Sequence, residues 1–383
     1  MSLLDNASLL LTPNAYKASK LYSVIPSNGN GDFTATRATT ATRINSSGLV
    51  ESVALNVPRV DYSLGGCPNI LLEPQRTNLA LQSSSFDSVV WGKSAGVVVT
   101  PNAVISPSGV MDADTIDFGA ANRFVLQAIT GVIGTTYTGT FYIKGIAGQT
   151  IITTVAGVDQ LFTLDGTWQR LGHSRTASSA SLTFAVSTFG GATARVVSLW
   201  GAQLEAGAYA TSFIPNTTAS VTRNQDVAIK TGVSSLIGQA QGTLFLEARS
   251  FNFLGNGAGE RISLTDGTFN NRINIDLFTG GNVQMVASNS VTGLSGTISA
   301  TGVVSANSKF KIAVAYDGAN SRLYVNGTAY TTIVGTMPTF SGQLSVVEFN
   351  QGNTARPFFG RVEELIVFPT RLTNAQLAQL TTL

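Results

Sequence analysis

Cysteine is almost missing: Cys67 is the only one in 383 residues. That excludes an internal disulfide framework and any cysteine-rich zinc site, and it fits synthesis in a reducing cytoplasm. Histidine is as scarce, with His173 standing alone. A His-rich metal centre is therefore impossible. A Ser-His-Asp triad would depend on that one imidazole, and no nucleophile-elbow pattern lies near a suitable serine. Charged residues make up 11% of the chain, against roughly one quarter in an average domain. With a formal net charge of +2, the chain lacks the dense cationic face of a nucleic-acid binder. No run approaches the ~18 consecutive apolar residues of a spanning helix, so no membrane insertion is expected. The opening MSLLDNASLLLTPN has no basic start, which a secretory signal needs.

What is present is apolar content, at 43%, and 39 glycines. Low charge accompanied by this much apolar surface implies packed cores rather than disorder, and the length suits two or three domains. Most of the chain alternates with period two. Leu244, Leu246 and Ala248 share one face; Ile273, Ile275 and Leu277 alternate with Asn274 and Asp276; Phe310, Ile312, Val314 and Tyr316 alternate with Lys309 and Lys311. This is the pattern of half-buried strands. Asp317-Gly318 and Asn326-Gly327 mark hairpin turns between them. The expected fold is all-β: two antiparallel β-sandwich domains of jelly-roll type, at 81–226 and 227–383, preceded by an extended N-terminal arm at 1–80. The arm is inferred from its short alternating pieces, broken by Pro13, Pro26, Pro58, Pro68 and Pro74, which leave it without a core of its own. Within it, Thr34-Ala35-Thr36-Arg37 recurs as Thr40-Ala41-Thr42-Arg43. In a strand this spacing points Arg37 and Arg43 to one side, either as a clamp on a neighbouring chain or as an ordinary solvated face. One helix is expected, Asn374 to Leu380, capped by Thr373 and burying Leu377 and Leu380.

Two stretches carry family resemblances. KIAVAYDGANSRLYVNG (311–327) and GRVEELIVFPTRLTNAQLAQL (360–380) resemble the paired strands, closing strand and short helix of laminin-G-like, concanavalin A-like jelly rolls. Trp91, GTWQRLG (166–172) and LWGAQLEAGAYATSFIPNTTASVTR (199–223) resemble the carbohydrate-binding-module-like sandwiches of bacteriophage fibres. RATTATRINSSGLVESVALNVPRVDY (37–62) and CPNILLEPQRTNL (67–79) are similar to a leader that precedes such sandwiches in phage virion proteins. The resemblance implies a virion structural protein, made in the host cytoplasm. It would be a head or tail fibre, spike or capsid decoration that anchors to other virion proteins by its arm. It would form a homo-oligomer, with a trimer preferred, and hold host-surface glycans through several weak contacts. The alternatives are a secreted or surface lectin-like module and a polysaccharide depolymerase.

Sugar recognition needs aromatic faces beside amides or carboxylates. Asn270, Asn271 and Arg272 form a polar loop that would reach a glycan, and Tyr330 lies near a hairpin turn with Tyr316 and Tyr324. Trp91, Trp168 and Trp200 sit inside motifs that define the fold and are expected to pack. Hydrolysis needs two carboxylates across a cleft. Asp112, Asp114 and Asp117 look like a loop entering a strand, and Glu363 and Glu364 are expected on opposite faces, so no enzyme is expected. Asp266 and Asp317 are each followed by glycine and read as turns rather than calcium ligands. No metal and no cofactor are expected.

Overall fold

The computed structural model describes residues 3–253, 259–352 and 355–383. The chain divides into two compact units, each assembled from separate stretches. One comprises Met1–Ala38, Leu55–Pro74 and Gln225–Leu383; the other comprises Thr39–Ala54 and Gln75–Asn224. Both are built from antiparallel sheets, as the period-two patterning predicts.

In the first unit the later strands form two sheets around one core. Leu244, Leu246, Ile312, Val314, Leu365 and Val367 meet Ile262, Leu264, Ile273, Ile275, Met285 and Ile298 there, all fully buried. One sheet runs, in order, Thr328–Tyr330, Arg322–Val325, Phe310–Tyr316, Gly242–Ser250, Gly360–Phe368, Asn69–Leu72 and Val60–Asp61. Leu9–Leu11 pairs with the far end of Gly360–Phe368. The other sheet has ten strands: Tyr16–Lys17, Lys20–Leu21, Phe33–Thr36, Val227–Thr231, Val346–Glu348, Glu260–Thr265, Asn271–Phe278, Asn282–Asn289, Leu294–Ala300 and Ile333–Gly335. The helix Asn374–Thr381 starts in a capping box, in which Thr373 N donates to Gln376 Oε1 at 2.9 Å. It buries Leu377 with Phe245, Ala315 and Ile366.

The second unit has two five-stranded sheets. One contains Phe124–Thr130, Ser181–Ser187 and Thr150–Val155; the other contains Met111–Asp117, Val196–Ala206 and Thr136–Lys144. Between them Phe141 and Phe184 stack at 4.3 Å, and Trp91 packs on both. The Trp91 indole donates to Gln82 O at 3.0 Å, satisfying its one polar atom.

The first eighty residues are not an arm. The stretch indeed lacks its own core, but it orders against later strands of the same chain. Leu9, Leu11, Leu21 and Phe33 are fully buried in the first unit. Ala41–Ile44 and Val50–Val53 form a hairpin in the second, where Val50 and Ile44 pack with Trp200 and Phe213. Strands of two to four residues cannot bury a face alone; as additions to existing sheets they need not. The boundary expected at 226 holds to within two residues, since the second unit ends at Asn224 and the first resumes at Gln225; the one expected at 80 falls away, because the residues before it are divided between the two units.

A buried ionic network holds the first unit where its pieces join. Arg37 Nη1 lies 2.9 Å from Asp226 Oδ1, and Arg59 Nη1 lies 2.6 Å from Glu73 Oε2. Arg59 also pairs with Asp226, whose Oδ2 accepts from Glu73 N at 2.9 Å. Arg37, Glu73 and Asp226 each sit next to a residue at which the chain passes from one unit to the other.

Candidate functional site

The expected site residues separate. Arg37 belongs to the network just described and is 3% exposed, so it is no clamp on a neighbouring chain. Arg43 lies in the other unit, paired across its hairpin with Glu51 at 2.5 Å. The repeated tetrapeptide thus straddles a break between units instead of running along one strand. Tyr330 closes the edge strand Thr328–Tyr330 and packs half-buried against the core. Asn270 is exposed on the turn between Glu260–Thr265 and Asn271–Phe278. Asn271 is buried and braces that turn, donating to Asp266 Oδ2 at 2.6 Å and accepting from Ser290 N at 3.0 Å. Arg272 is buried as well. No hydrogen bond or ring contact joins Tyr330 to the other three among the described residues.

The carboxylate clusters also resolve. Asp114 is buried and accepts from Phe86 N at 2.6 Å and Asn102 N at 2.9 Å; burial pushes its carboxyl up. Glu363 and Glu364 do not take opposite faces. A register shift opposite Glu247 is a bulge, which brings adjacent side chains to one side. Glu363 pairs with Lys309 and, at 3.4 Å, with Arg249. Glu364 is pushed up by burial and then by Glu247. Glu363 and Glu247 are thus engaged by Lys309, Lys311 and Arg249.

The polar face of the ten-stranded sheet is the richer surface. Alternation sends Ile273, Ile275 and Leu277 into the core and Arg272, Asn274, Asp276 and Phe278 to the other side. Strand pairing then lays out three rows. Arg261 opposes Asp276, which opposes Gln284, which opposes Ser299. Ser263, Asn274, Val286 and Thr297 form the next row, and Thr265, Arg272, Ser288 and Ser295 the third. The pattern of half-buried strands implied a solvated polar face, yet Asn274 and Asp276 are 0% exposed. Part of the cover comes from Asn350, Gln351 and Arg356: Ser263 Oγ donates to Asn350 O, Arg261 donates to Gln351 Oε1, and Arg261 N donates to Arg356 O at 3.1 Å. The Phe269 ring lies 3.6 Å from the Arg272 guanidinium and 5.8 Å from that of Arg261.

Towards Asn282–Asn289 and Leu294–Ala300 this face opens. An open groove of about 320 Å³ is lined by Phe278, Asn282, Gln284, Ser299, Ala300 and Thr301. Asn282 is committed to its turn, donating to Thr279 O and accepting from Gly302 N, both at 3.0 Å. The Gln284 amide and the Ser299 and Thr301 hydroxyls have no partner among the described residues. Next to the groove, Arg261 Nη2 pairs with Asp276 Oδ2 at 2.8 Å. Burial pushes the Asp276 carboxyl up to about 6 even though Arg261, Arg272 and Arg356 pull it down. Gln284, Phe278 and Ser299 were not singled out from the sequence, because a polar residue alternating with apolar ones marks any exposed sheet face.

No family model matches the chain, and no curated protein matches it. Solved structures that share similarity include the CBM40 of Ruminococcus gnavus IT-sialidase bound to α2,3 sialyllactose. It is 18% identical, covering 40% of this chain and 91% of that one, with a TM-score of 0.33. Domain 4 of AbnA, a GH43 extracellular arabinanase from Geobacillus stearothermophilus, in complex with arabinotriose, is 15% identical over 46% of this chain and 84% of its own, with a TM-score of 0.32. A CBM4 is 16% identical over 33% and 100%, with a TM-score of 0.26. Likeness at this level says nothing of what this chain binds.

Proposed function

We propose that this chain is a non-catalytic glycan-binding protein of a bacteriophage particle, with the groove beside Phe278, Gln284 and Ser299 as its sugar contact. The groove carries the reading. A sugar presents hydroxyls that both donate and accept, beside patches of C–H. An amide and two hydroxyls without protein partners, next to an aromatic ring, answer both needs. An open groove of this kind supplies few contacts, so affinity per site is low and useful attachment comes from several copies on one particle. The virion role is supported by the segments 37–62, 67–79 and 199–223, which resemble phage structural proteins. A free-standing lectin-like module would use the same groove.

A glycan array probed with the full chain tests the sugar reading. Binding is expected, and Gln284→Ala combined with Ser299→Ala weakens it about ten-fold without moving Tm. An array without signal, or a double variant that binds as before, overturns the site. Antibody labelling of purified particles tests the virion role; protein found only outside particles overturns it.

A further inference from the structure

The covered part of the polar face holds more cation than anion. Arg261, Arg272 and Arg356 lie within electrostatic reach of one another. Burial, then Arg261 and Arg356, pull Arg272 down to about 10. Asp276 is the carboxylate that pairs with this group. Glu348, on a neighbouring strand, is taken up by Thr265, whose hydroxyl donates to it at 2.6 Å, and by Asn350. Arg261 is 7% and Arg272 9% exposed, so water does little to screen the excess. Neither Nε has an acceptor among the described residues.

Between these arginines in the register stands Asn274, on the same face. It is 0% exposed, and among the described residues neither its Nδ2 nor its Oδ1 is hydrogen-bonded. Buried amides are almost always bonded and buried charges almost always paired. Arg261 commits one edge to Asp276 and Gln351, and Arg272 donates Nη1 to Phe269 O; the surplus positive charge, the two free Nε atoms and the idle amide form an arrangement that an anion completes, since guanidinium matches carboxylate or sulfate oxygens and the amide adds a donor. The same rows lead out of this pocket of charge. Arg272 opposes half-buried Ser288 and then exposed Ser295, while four residues along the strand Gln284 reaches the groove, a span of ~14 Å.

We infer that the glycan bound on this face carries an anionic group, a carboxylate or a sulfate ester, seated on Arg272 and Asn274 while its neutral part lies in the Phe278–Gln284 groove. This rests on the glycan reading above and adds the chemical class of the ligand.

Affinity electrophoresis of the full chain through gels containing polygalacturonate, its methyl ester, dextran sulfate or dextran tests it. Retardation is expected in at least one acidic polymer, about ten-fold tighter than in its uncharged counterpart. A preference for polygalacturonate over its ester identifies a carboxylate, and one for dextran sulfate over dextran identifies a sulfate. Arg272→Gln is expected to abolish the preference, and charge-matched Arg175→Gln, on the other unit, to keep it. Asn274→Asp sets a like charge against the anion and carries the test should Arg272→Gln fail to fold. Equal retardation by charged and uncharged polymers overturns the anionic class and leaves glycan binding standing. Equal loss in Arg175→Gln and Arg272→Gln also overturns it, since only net charge is then being read. Failure to bind any of the four polymers overturns the glycan reading together with the inference.

Discussion

Two buried groups of charge in the first unit are built in opposite ways. Arg37, Arg59, Glu73 and Asp226 are balanced, two cations with two anions, and among the described residues none of their fully buried side-chain polar atoms is left without a partner. Arg261, Arg272 and Arg356 face Asp276, and among the described residues the Nε atoms of Arg261 and Arg272 and the Asn274 amide beside them are unbonded. A closed ionic network costs desolvation and returns it through its own pairs, so it serves the fold. An open one leaves part of that cost standing in the free protein, which makes sense where a ligand supplies the missing charge. Burial does not separate the two; the balance of charge and the count of satisfied atoms do.

The comparison breaks most visibly at Asp226. Asp226→Asn leaves Arg37 and Arg59 sharing Glu73, and is expected to cost about 3–5 kcal/mol in urea unfolding. A loss below ~1 kcal/mol would mean that the balanced network does not hold the unit together. The next effect is spread over pH, no more than ~1.4 kcal/mol in any one unit, and comes from a buried acid with no partner cation among the described residues. Glu260 is 0% exposed, has one oxygen unpartnered, and accepts from Ser250 Oγ at 2.7 Å. Burial pushes it up to about 8. The folded state therefore holds this proton across a range where the unfolded chain releases it. Stability is greatest below the unfolded value near 4.5 and declines as pH rises towards 8, by at most ~1.4 kcal/mol per pH unit. Denaturant midpoints between pH 5 and 8 should show that decline, and Glu260→Gln should flatten it. An unchanged slope in the variant would assign the decline to other groups. The smallest effect belongs to Arg43, the other arginine of the repeated tetrapeptide. Its pair with Glu51 is partly exposed, so Arg43→Met is expected to cost less than ~1 kcal/mol. A cost matching that of Asp226→Asn would erase the distinction between closed core networks and surface pairs.

Strand identity was largely legible. The alternations at 244–248, 273–277 and 310–316 all lie in strands whose apolar members reach the core. The cap at Thr373 and burial of Leu377 were readable because capping chemistry is local. Trp91 and Trp200 pack as their apolar surroundings implied. The site was legible only in fragments. Asn271 and Arg272 were noticed as members of a loop, but they begin a strand; one is a turn brace and the other a buried cation. Glu363 and Glu364 were misplaced because a bulge is set by the partner strand, and alternation within one strand carries no trace of it.

The sequence by itself determined that this protein is made of antiparallel strands, where the helix Asn374–Thr381 begins, and that one cysteine cannot build an internal disulfide framework. Those properties depend on neighbours in the chain: alternation, turn dipeptides, a cap, a residue's absence. Tertiary structure alone decided that residues 9, 33 and 72 complete a core begun beyond 225, that Arg37 and Arg43 serve different units, and that Arg272, Asn274 and Gln284 share one face of neighbouring strands. The reason is that short edge strands and buried charges are stabilised by partners far along the chain, and a period of two says which side a residue faces without saying what lies there.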